Sequence, residues 1–218
     1  MTRIGDNTHL LPRSPTMPKS YDRAYFDKWY RDPKHKIISN QTLQRKVRMA
    51  LSMAEFHLQR PVSNVLDIGC GEGVWQPILA ELRPDAEYLG FESSEYAVRR
   101  YGMERNIRPL TFGQLGELRL DHRYDLVICA DVLHYLRGAE VERGLPGLVA
   151  NLAGMAYIEL YTSQDETVGD NEGFLKRPTS WYREQFRRVG LVGCGSHCYL
   201  APELGKDASQ LERWPDVH

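Results

Sequence analysis

The amino-acid sequence predicts an α/β protein in which a mostly parallel sheet is doubly wound, with helices on both faces. Short apolar segments alternate with longer amphipathic segments from residue 64 to about residue 200. Such alternation favours parallel strands joined by helical crossovers. The segment 124–129 is a nearly continuous apolar run, which is typical of a strand buried on both faces. A chain of 218 residues is long enough for one such domain with a small appendage.

The individual elements follow from the hydrophobic period and from the prolines and glycines between them. Strands are predicted at 64–68, 87–91, 108–112, 124–129 and 155–161, with a final apolar stretch of one or two strands at 191–200. Helices are predicted at 73–83, 94–105, 139–152 and 180–189. Residues 162–178 are polar and rich in turn formers, so they predict a long loop of the kind that often covers a site.

An arm and two further helices are predicted ahead of this alternation. Residues 1–19 carry three prolines and little periodicity, which indicates a flexible arm. Residues 20–36 hold five aromatic side chains at helical spacing, and Pro33 predicts the end of that helix. Residues 40–58 show an apolar helical stripe. The predicted organisation is an arm at 1–19, a helical cap at 20–60, a core at 61–200 and a surface tail at 201–218.

The composition gives no overall bias toward nucleic acid or membrane, since the net charge is −1. The charge is unevenly placed, however: residues 1–50 hold eleven Lys and Arg against four Asp and Glu. This basic quarter is interpreted either as a solvated surface or as a docking side for an anionic partner. No apolar run approaches the length of a membrane helix, and no signal-peptide apolar region begins the chain. These features predict a cytoplasmic protein with no membrane partner.

The four cysteines predict neither a disulfide framework nor a metal site. Cys194, His197 and Cys198 are close in sequence, but on a strand His197 points away from the two thiols. No fourth ligand is evident nearby. No metal is therefore expected.

The stretch Val65-Leu-Asp-Ile-Gly-Cys-Gly-Glu-Gly-Val-Trp75 predicts a strand, a glycine-rich loop and a helix start. Glycines let the backbone approach a ligand with no side chain between them. A dinucleotide loop requires Gly-x-Gly-x-x-Gly, whereas here the third glycine comes one residue early. Asp67 and Glu72 add negative charge that repels a pyrophosphate. The loop instead suits a ligand with a cationic end, such as the amino and sulfonium groups of S-adenosylmethionine (SAM).

A second acid stands where a nucleoside site needs one. Glu92 ends the short apolar strand at 87–91, twenty-five residues after Asp67. In nucleoside-binding α/β folds, an acid at this position accepts hydrogen bonds from ribose hydroxyls.

Residues 64–75 resemble the first motif of class I methyltransferases, and the segment 124–135 resembles the fourth strand of that family and the residues beneath its cofactor. The resemblance implies a Rossmann-like, seven-stranded-type sheet and SAM as cofactor, with S-adenosylhomocysteine (SAH) as product. Where the family often has an acid for the adenine amino group, this chain has Gln114, whose carbonyl offers an acceptor. The implied cofactor contacts are Asp67, Gly69, Cys70, Gly71, Glu72, Gly73, Glu92, Ser93, Gly113, Gln114, Leu115, Ala130 and Asp131.

Two residues are candidates for moving the proton of a methyl acceptor. His134 follows the fourth strand and titrates near neutral pH, which favours a role as base; the alternative is a capping or packing role. Glu159 interrupts an apolar strand, so it needs either a task or a partner such as a neighbouring arginine.

Aromatic side chains predict the walls of the acceptor site, because ligands of such sheets bind beyond the carboxyl ends of the strands. The aromatic helix is interpreted as a lid, with packing against the core as the alternative. The candidate substrate contacts are Tyr21, Tyr25, Trp29, Tyr30, Tyr135, Tyr161 and Trp181.

These features favour a SAM-dependent methyltransferase that acts on an oxygen or nitrogen atom of a small molecule. The segment after the fourth strand lacks the Asn/Asp-Pro-Pro-aromatic motif of enzymes that methylate base amino groups. An RNA or protein methyltransferase docking through the basic N-terminal quarter is the first alternative. A SAM-binding protein without transfer activity is the second, and a nicotinamide-dependent dehydrogenase is the most distant.

Overall fold

The computed structural model of the protein describes residues 19–36, 38–209 and 211. The predicted arm, apart from Lys19, and the end of the predicted tail lie outside these residues. The helices are α1 Arg23–Phe26, α2 Asn40–Leu58, α3 Gln76–Leu82, α4 Glu95–Arg105, α5 Gly138–Ala150 and α6 Thr179–Arg188. The strands are β1 Asn64–Ile68, β2 Glu87–Glu92, β3 Ile107–Pro109, β4 Tyr124–Ala130, β5 Leu152–Glu159, β6 Val192–Gly195 and β7 Cys198–Leu200.

The seven strands form one sheet in the order β3-β2-β1-β4-β5-β7-β6. The pairs between β3 and β5 are parallel, and β7 runs antiparallel to both of its neighbours. The strand order reverses between β1 and β4, because the chain builds outward from β1 to β3 and then returns to the other side. A crevice opens at such a switch point, beyond the carboxyl ends of the two strands. The structure therefore confirms the predicted fold class and positions the glycine loop at this crevice.

Helices cover both faces of the sheet, and the core divides accordingly into two layers. Val65 and Leu126 belong to the layer beneath α2 and α3. Leu66 and Val127, their immediate neighbours, belong to the layer beneath α5 and α6. Side chains alternate between faces along a strand, so strands with a helix on each side must be apolar at successive positions. This explains the unbroken apolar character of β1 and β4.

Helix α2 spans the same residues as its predicted stripe. Ser39 caps its first turn by accepting a hydrogen bond from the Thr42 amide at 3.0 Å. The helix ends at Gln59, which has a left-handed backbone with φ of 55°. Its buried face consists of Val47, Ala50, Leu51 and Ala54. No helix in the described part of the chain combines the length and the apolar character needed to cross a membrane.

The strand predicted at 108–112 is shorter than expected. It ends at Pro109, and Phe112–Gly116 forms a 3-10 turn instead. Helix α5 accommodates this turn through a glycine, since a Cβ at Gly147 would lie 1.9 Å from the Leu115 carbonyl oxygen. The turn thus packs directly on α5, and the Leu115 side chain is fully buried beneath it.

The apolar stretch 191–200 forms a hairpin rather than a single strand. Gly195 pairs with Cys198 across it. Ser196 and His197 make the two-residue turn with φ of 50° and 63°, as a type I′ turn requires. No group of three His, Cys, Asp or Glu side chains among the described residues is arranged to hold a metal ion.

Candidate active site

The glycine loop is a tight backbone cradle at the end of β1. Gly69, Gly71 and Gly73 all have left-handed backbones, with φ of 68°, 57° and 70°. A Cβ at Gly69 would lie 2.4 Å from Val132 Cγ2, in the segment after β4. A Cβ at Gly71 would lie 2.6 Å from the hydroxyl of Tyr30, which belongs to the aromatic segment before α2. Only glycine combines this conformation with such close neighbours. The loop therefore presents backbone atoms, and no side chains, to the crevice.

Two buried carboxylates flank the loop. Asp67, which is 2 % exposed, accepts a hydrogen bond from the Tyr88 hydroxyl at 2.8 Å. Glu92, which is 6 % exposed, accepts from the amides of Gly71 and Ser94 at 2.7 and 2.8 Å. Glu92 Oε1 also accepts from the Ser93 hydroxyl at 3.2 Å, whereas Glu92 Oε2 accepts only from Gly71 and keeps a second lone pair for a ligand hydroxyl. Glu92 therefore ties the loop to β2 while keeping the capacity to accept from a ribose.

Burial is the main reason why the pKa of Asp67 is raised to about 7, and the negative charge of Glu92 adds to the effect. A hydrogen bond from Tyr88 acts in the opposite direction and limits the shift. A carboxyl group in this state gains most from a cation beside it, because the cation stabilises the ionised form. The site is therefore electrostatically suited to a positively charged ligand.

The lid consists of residues 19–36 and lies on the glycine loop. Its helical part is α1 followed by a π-helical turn at Asp27–Arg31, so it is shorter and more irregular than the predicted helix. Phe26 is buried and packs edge-on against Tyr30 at 5.2 Å between ring centroids. The Ser94 hydroxyl donates to the Tyr21 carbonyl. The lid thus contacts both the loop and the residues next to Glu92.

Glu72 is paired with the lid. Arg31 Nη2 donates to its two carboxylate oxygens at 2.7 and 2.9 Å. The charge of Arg31 offsets that of Glu72, and the pair links the lid to the glycine loop. The contact of Glu72 with a cationic ligand stays a prediction.

Across the crevice, His134 is buried among aromatic rings. It is 3 % exposed, and its ring centroid lies 4.3 Å from that of Tyr135, 5.1 Å from Phe174 and 5.7 Å from Tyr161. Burial lowers the pKa of His134 to about 4, and the nearby charge of Lys19 contributes. The imidazole is therefore neutral at pH 7. Its unprotonated nitrogen, Nδ1, accepts a hydrogen bond from the Tyr161 amide at 3.4 Å, so a role as base requires this bond to be released.

The model of a methyltransferase domain family matches residues 66–154, which run from β1 into β5. This part of the chain is similar to a methyltransferase domain. An uncharacterized protein of Synechococcus is 32 % identical over 113 residues, covering 48 % of this chain and 26 % of that relative. The chain thus spans about a quarter of the length of the curated relative it matches.

Solved structures of methyltransferases share this fold. DesVI from Streptomyces venezuelae has a TM-score of 0.58 at 13 % identity, covering 74 % of this chain and 92 % of DesVI. SAM-bound CalS10, an amino pentose methyltransferase from Micromonospora echinaspora, gives 0.58 at 14 % identity with the same coverage. Magnesium protoporphyrin IX methyltransferase from Synechocystis, with bound SAH, gives 0.57 at 17 % identity, covering 83 % and 94 %. At these identities the likeness establishes the class I, Rossmann-like fold.

Glu159, at the end of β5, has the partner that its buried position required. Lys46 of α2 donates to both carboxylate oxygens at 2.6 and 2.7 Å, and the Tyr157 hydroxyl donates at 3.1 Å. The basic partner of Glu159 is thus a lysine and not the arginine that the sequence suggested. Its neighbour Asp131 has a left-handed backbone with φ of 59°, and burial, followed by the charge of Glu159, raises the pKa of Asp131 to about 6. The role of Glu159 as a base stays a prediction. Its carboxylate already accepts three hydrogen bonds.

The turn after β3 differs from what the resemblance implied. The Gln114 side-chain oxygen accepts from the amide and the hydroxyl of Thr111 at 2.8 and 2.9 Å, which occupies both of its lone pairs. Leu115 has its side chain in the core, so only its backbone could face a ligand. The adenine contact predicted for Gln114 therefore requires its side chain to release the hydrogen bonds from Thr111. Ser93 directly follows β2, Ala130 is the last residue of β4, and Gly113 lies within the turn Phe112–Gly116; their contacts with a cofactor stay predictions.

Two of the predicted substrate aromatics have other contacts. Trp181 packs against the core layer beneath α5 and α6, with the Arg177 guanidinium 4.7 Å above its ring. This supports the packing alternative for Trp181. Trp29 contacts His35 and Lys28, which also belong to the lid. Tyr21, Tyr25 and Tyr135, in contrast, lie together, and sequence reasoning gave no sign of the lysine that they surround.

Proposed function

We propose that this protein transfers the methyl group of SAM to an oxygen or nitrogen atom of a small molecule. The observation that carries the proposal is the glycine cradle between two buried carboxylates, at the switch point of the sheet and beneath an aromatic lid. The cradle fits the methionine half of SAM, and Glu92 fits its ribose. When bound, SAM supplies an electrophilic methyl group on a positively charged sulfur.

The chain's own residues supply binding, orientation and proton movement in this proposal. Gly69, Gly71 and Gly73 present backbone to the cofactor, and Asp67 provides negative charge near its cationic end. The lid excludes water, so the acceptor and the methyl group are held in line. His134, neutral and buried, accepts the proton of an acceptor hydroxyl or amine.

Several observations support a small molecule as the acceptor. Arg31 and Lys46 of the basic N-terminal quarter are paired with Glu72 and Glu159, so part of that charge is used within the protein. Among the structural neighbours, CalS10 acts on an amino pentose and the Synechocystis enzyme on magnesium protoporphyrin IX.

The proposal is tested first by ligand-induced stabilisation. SAM or SAH at about one hundred times its dissociation constant is expected to raise the melting temperature by about 5–10 °C. NADH serves as the control and is expected to leave it unchanged. Stabilisation by NADH but not by SAM would overturn the cofactor assignment. Incubation with labelled SAM and host extract, fractionated into small molecules, RNA and protein, then separates the acceptor classes, and binding without turnover on any fraction would indicate a non-catalytic protein.

SAM affinity is expected to depend on pH through Asp67. The pKa of Asp67 is about 7 without a ligand, and a cation favours the ionised form, so affinity rises as pH rises through 7. Between about pH 6 and about pH 8 the gain is about ten-fold, with release of a proton on binding. Calorimetric titration in two buffers of different ionisation enthalpy measures both quantities. Asp67→Asn is expected to remove the pH dependence and to weaken binding at pH 8. An unchanged pH profile in Asp67→Asn would contradict this role.

Replacement of His134 is expected to affect turnover more than cofactor binding. His134→Phe keeps an aromatic ring among its neighbours but removes the proton acceptor, so kcat falls about 100-fold. The dissociation constant for SAM, measured by titration, changes less than about three-fold because His134 lies across the crevice from the loop. His134→Ala is the comparison, with an equal loss of kcat and an additional loss of stability. Equal losses in kcat and SAM affinity would remove His134 as the base.

A further inference from the structure

A cage of three tyrosine rings surrounds the ammonium group of Lys19. Lys19 Nζ lies 4.1 Å from the ring centroid of Tyr135, 5.1 Å from that of Tyr25 and 5.3 Å from that of Tyr21. All three distances are within the range of about 6 Å over which an aromatic ring attracts a cation. Tyr21 and Tyr25 also pack edge-on against each other at 5.0 Å. The three rings therefore lie around a single positive charge.

The cage also supplies a counter-charge and a hydrogen-bond acceptor. Asp170 forms an ion pair with Lys19 Nζ, and the Glu172 carbonyl accepts from the same nitrogen at 3.0 Å. The side chains of Lys19 and Asp170 are only 12 % and 11 % exposed. Desolvating an ammonium is costly unless it is paired and hydrogen-bonded, and this pocket satisfies both conditions. Its rings, carboxylate and carbonyl together meet the requirements of one ammonium group.

The cage stands where the acceptor of a methyltransferase must enter. Tyr135 follows β4 and adjoins His134, while Asp170 belongs to the long loop after β5. The Tyr135 hydroxyl donates to the Asp170 carbonyl at 2.6 Å, which joins these two walls. On the other side, the Tyr21 carbonyl accepts from Ser94, two residues from Glu92. The cage thus lies between the proposed ribose-binding acid and the loop that closes the crevice.

We propose that the methyl acceptor is an organic amine whose ammonium group binds in this cage, in the place that Lys19 Nζ occupies. The inference rests on the proposed function and narrows its acceptor from an oxygen or nitrogen atom to an amine nitrogen. The ammonium group of Lys19 occupies the cage in the absence of substrate, and the amine displaces it on binding. Its position at the start of the lid allows it to leave without disturbing Phe26 or Tyr30, which hold the lid on the loop.

The transfer balances in protons and charge. The bound ammonium first loses one proton to the imidazole of His134, which adjoins Tyr135 of the cage and passes the proton to water. The free lone pair of the nitrogen then attacks the methyl carbon, so a carbon–nitrogen bond forms as the carbon–sulfur bond breaks. The sulfur leaves as the neutral thioether of SAH, and the methylated nitrogen carries the positive charge. The rings of the cage attract this product cation as they attract the substrate.

The cage is tested directly with tetramethylammonium as the probe and the neutral tert-butanol as its control. In Lys19→Met the apolar stem remains but the competing ammonium is gone. Titration calorimetry on the full chain is expected to show that this variant binds tetramethylammonium at least ten-fold more tightly than the wild type does. Lys28→Met is the matched control, since Lys28 lies 4.6 Å from the ring of Trp29 in the same lid but is exposed. It is expected to leave the affinity unchanged.

Two double variants test which residues form the cage. Tyr135→Leu and Asp170→Asn, each combined with Lys19→Met, are expected to lose the gained affinity, and melting temperatures establish that both are folded. Binding of tert-butanol as tight as that of tetramethylammonium, or no gain in Lys19→Met, would overturn the proposal and leave Lys19 as a fastener between lid and loop. Retained affinity in both double variants would also overturn it.

The acceptor class is tested with labelled SAM and matched panels of amines, alcohols and carboxylic acids. Transfer to amines alone is expected, with kcat/KM at least ten-fold lower in Tyr135→Leu. Failure of the wild type to bind SAM would overturn the proposed function itself. Normal SAM binding with transfer to a hydroxyl or carboxyl group would overturn only the amine proposal.

Discussion

Replacing Gly71 by arginine is expected to abolish SAM binding. The backbone at this position is left-handed, and a Cβ would meet the Tyr30 hydroxyl at 2.6 Å. A longer side chain must therefore fill the crevice above the loop or push the lid away. The Gly71 amide, which donates to Glu92 at 2.7 Å, moves as well, so the proposed ribose acid loses its position. We expect affinity to fall at least about 100-fold, which corresponds to roughly 2.7 kcal/mol.

A matched control separates the crevice from general backbone strain. Gly195 also has a positive φ, 92°, but a Cβ there meets nothing within 4 Å. Gly195→Arg therefore carries a conformational cost of about 1–2 kcal/mol and no clash at the site. Titration of both variants with SAM, alongside their melting temperatures, is expected to show loss of binding only in Gly71→Arg. Near wild-type affinity in Gly71→Arg would falsify the assignment of the loop.

Much of the fold and the cofactor side of the site could be predicted because the signals are local in the chain. A buried strand, a glycine turn and a second strand ending in Glu92 lie within residues 64–92, where neighbours in sequence are neighbours in space. The period of the apolar residues then gave α2 with its correct bounds. Conformational requirements at single glycines are visible in a sequence because almost no other residue satisfies them.

The interactions between distant segments could not be predicted. Lys46 and Glu159 are 113 residues apart, and Lys19 and Asp170 are 151 apart. A sequence shows that Glu159 needs a partner, but it does not show which of many basic residues the fold brings to it. For the same reason, the sequence predicts a solvated or docking surface for the basic N-terminal quarter. In the structure, several of its charges instead form ion pairs with the glycine loop and with residues that line the crevice.

The turn at 112–116 illustrates a limit of family resemblance. The position of Gln114 in the motif implies a contact with adenine, but a motif carries no information about the hydrogen bonds around that side chain. Thr111 begins the turn, and its amide and hydroxyl compete for the same oxygen. A threonine three residues before a glutamine is a capping signal, so the pattern was present in the sequence and favoured a structural use of the side chain.

Removing the carboxylate of Asp125 is expected to cause the largest loss of stability. Asp125 is 2 % exposed at the amino end of β4, on the edge of the sheet opposite the glycine loop. It accepts two hydrogen bonds from Arg60 at 2.7 Å and two from Ser63 at 2.8 and 2.7 Å. Asp125→Ala leaves the Ser63 amide without its acceptor, so the free energy of unfolding falls by about 2–4 kcal/mol.

The partner substitution and the pH dependence make this prediction specific. Arg60→Ala is expected to cost about 1 kcal/mol or less, because its side chain is half exposed and water replaces its contacts. Burial opposes ionisation of Asp125, but the bonds from Arg60 and Ser63 outweigh it and hold its pKa below the usual value. The stabilisation is therefore present above the unfolded pKa of about 3.9 and lost as pH falls through the lower folded value. Urea unfolding across this range should show a flatter acid limb in Asp125→Ala, with unchanged SAM affinity at pH 7. Equal destabilisation by the two substitutions would mean that the exposed ion pair, and not the buried hydrogen bonds, supports β4.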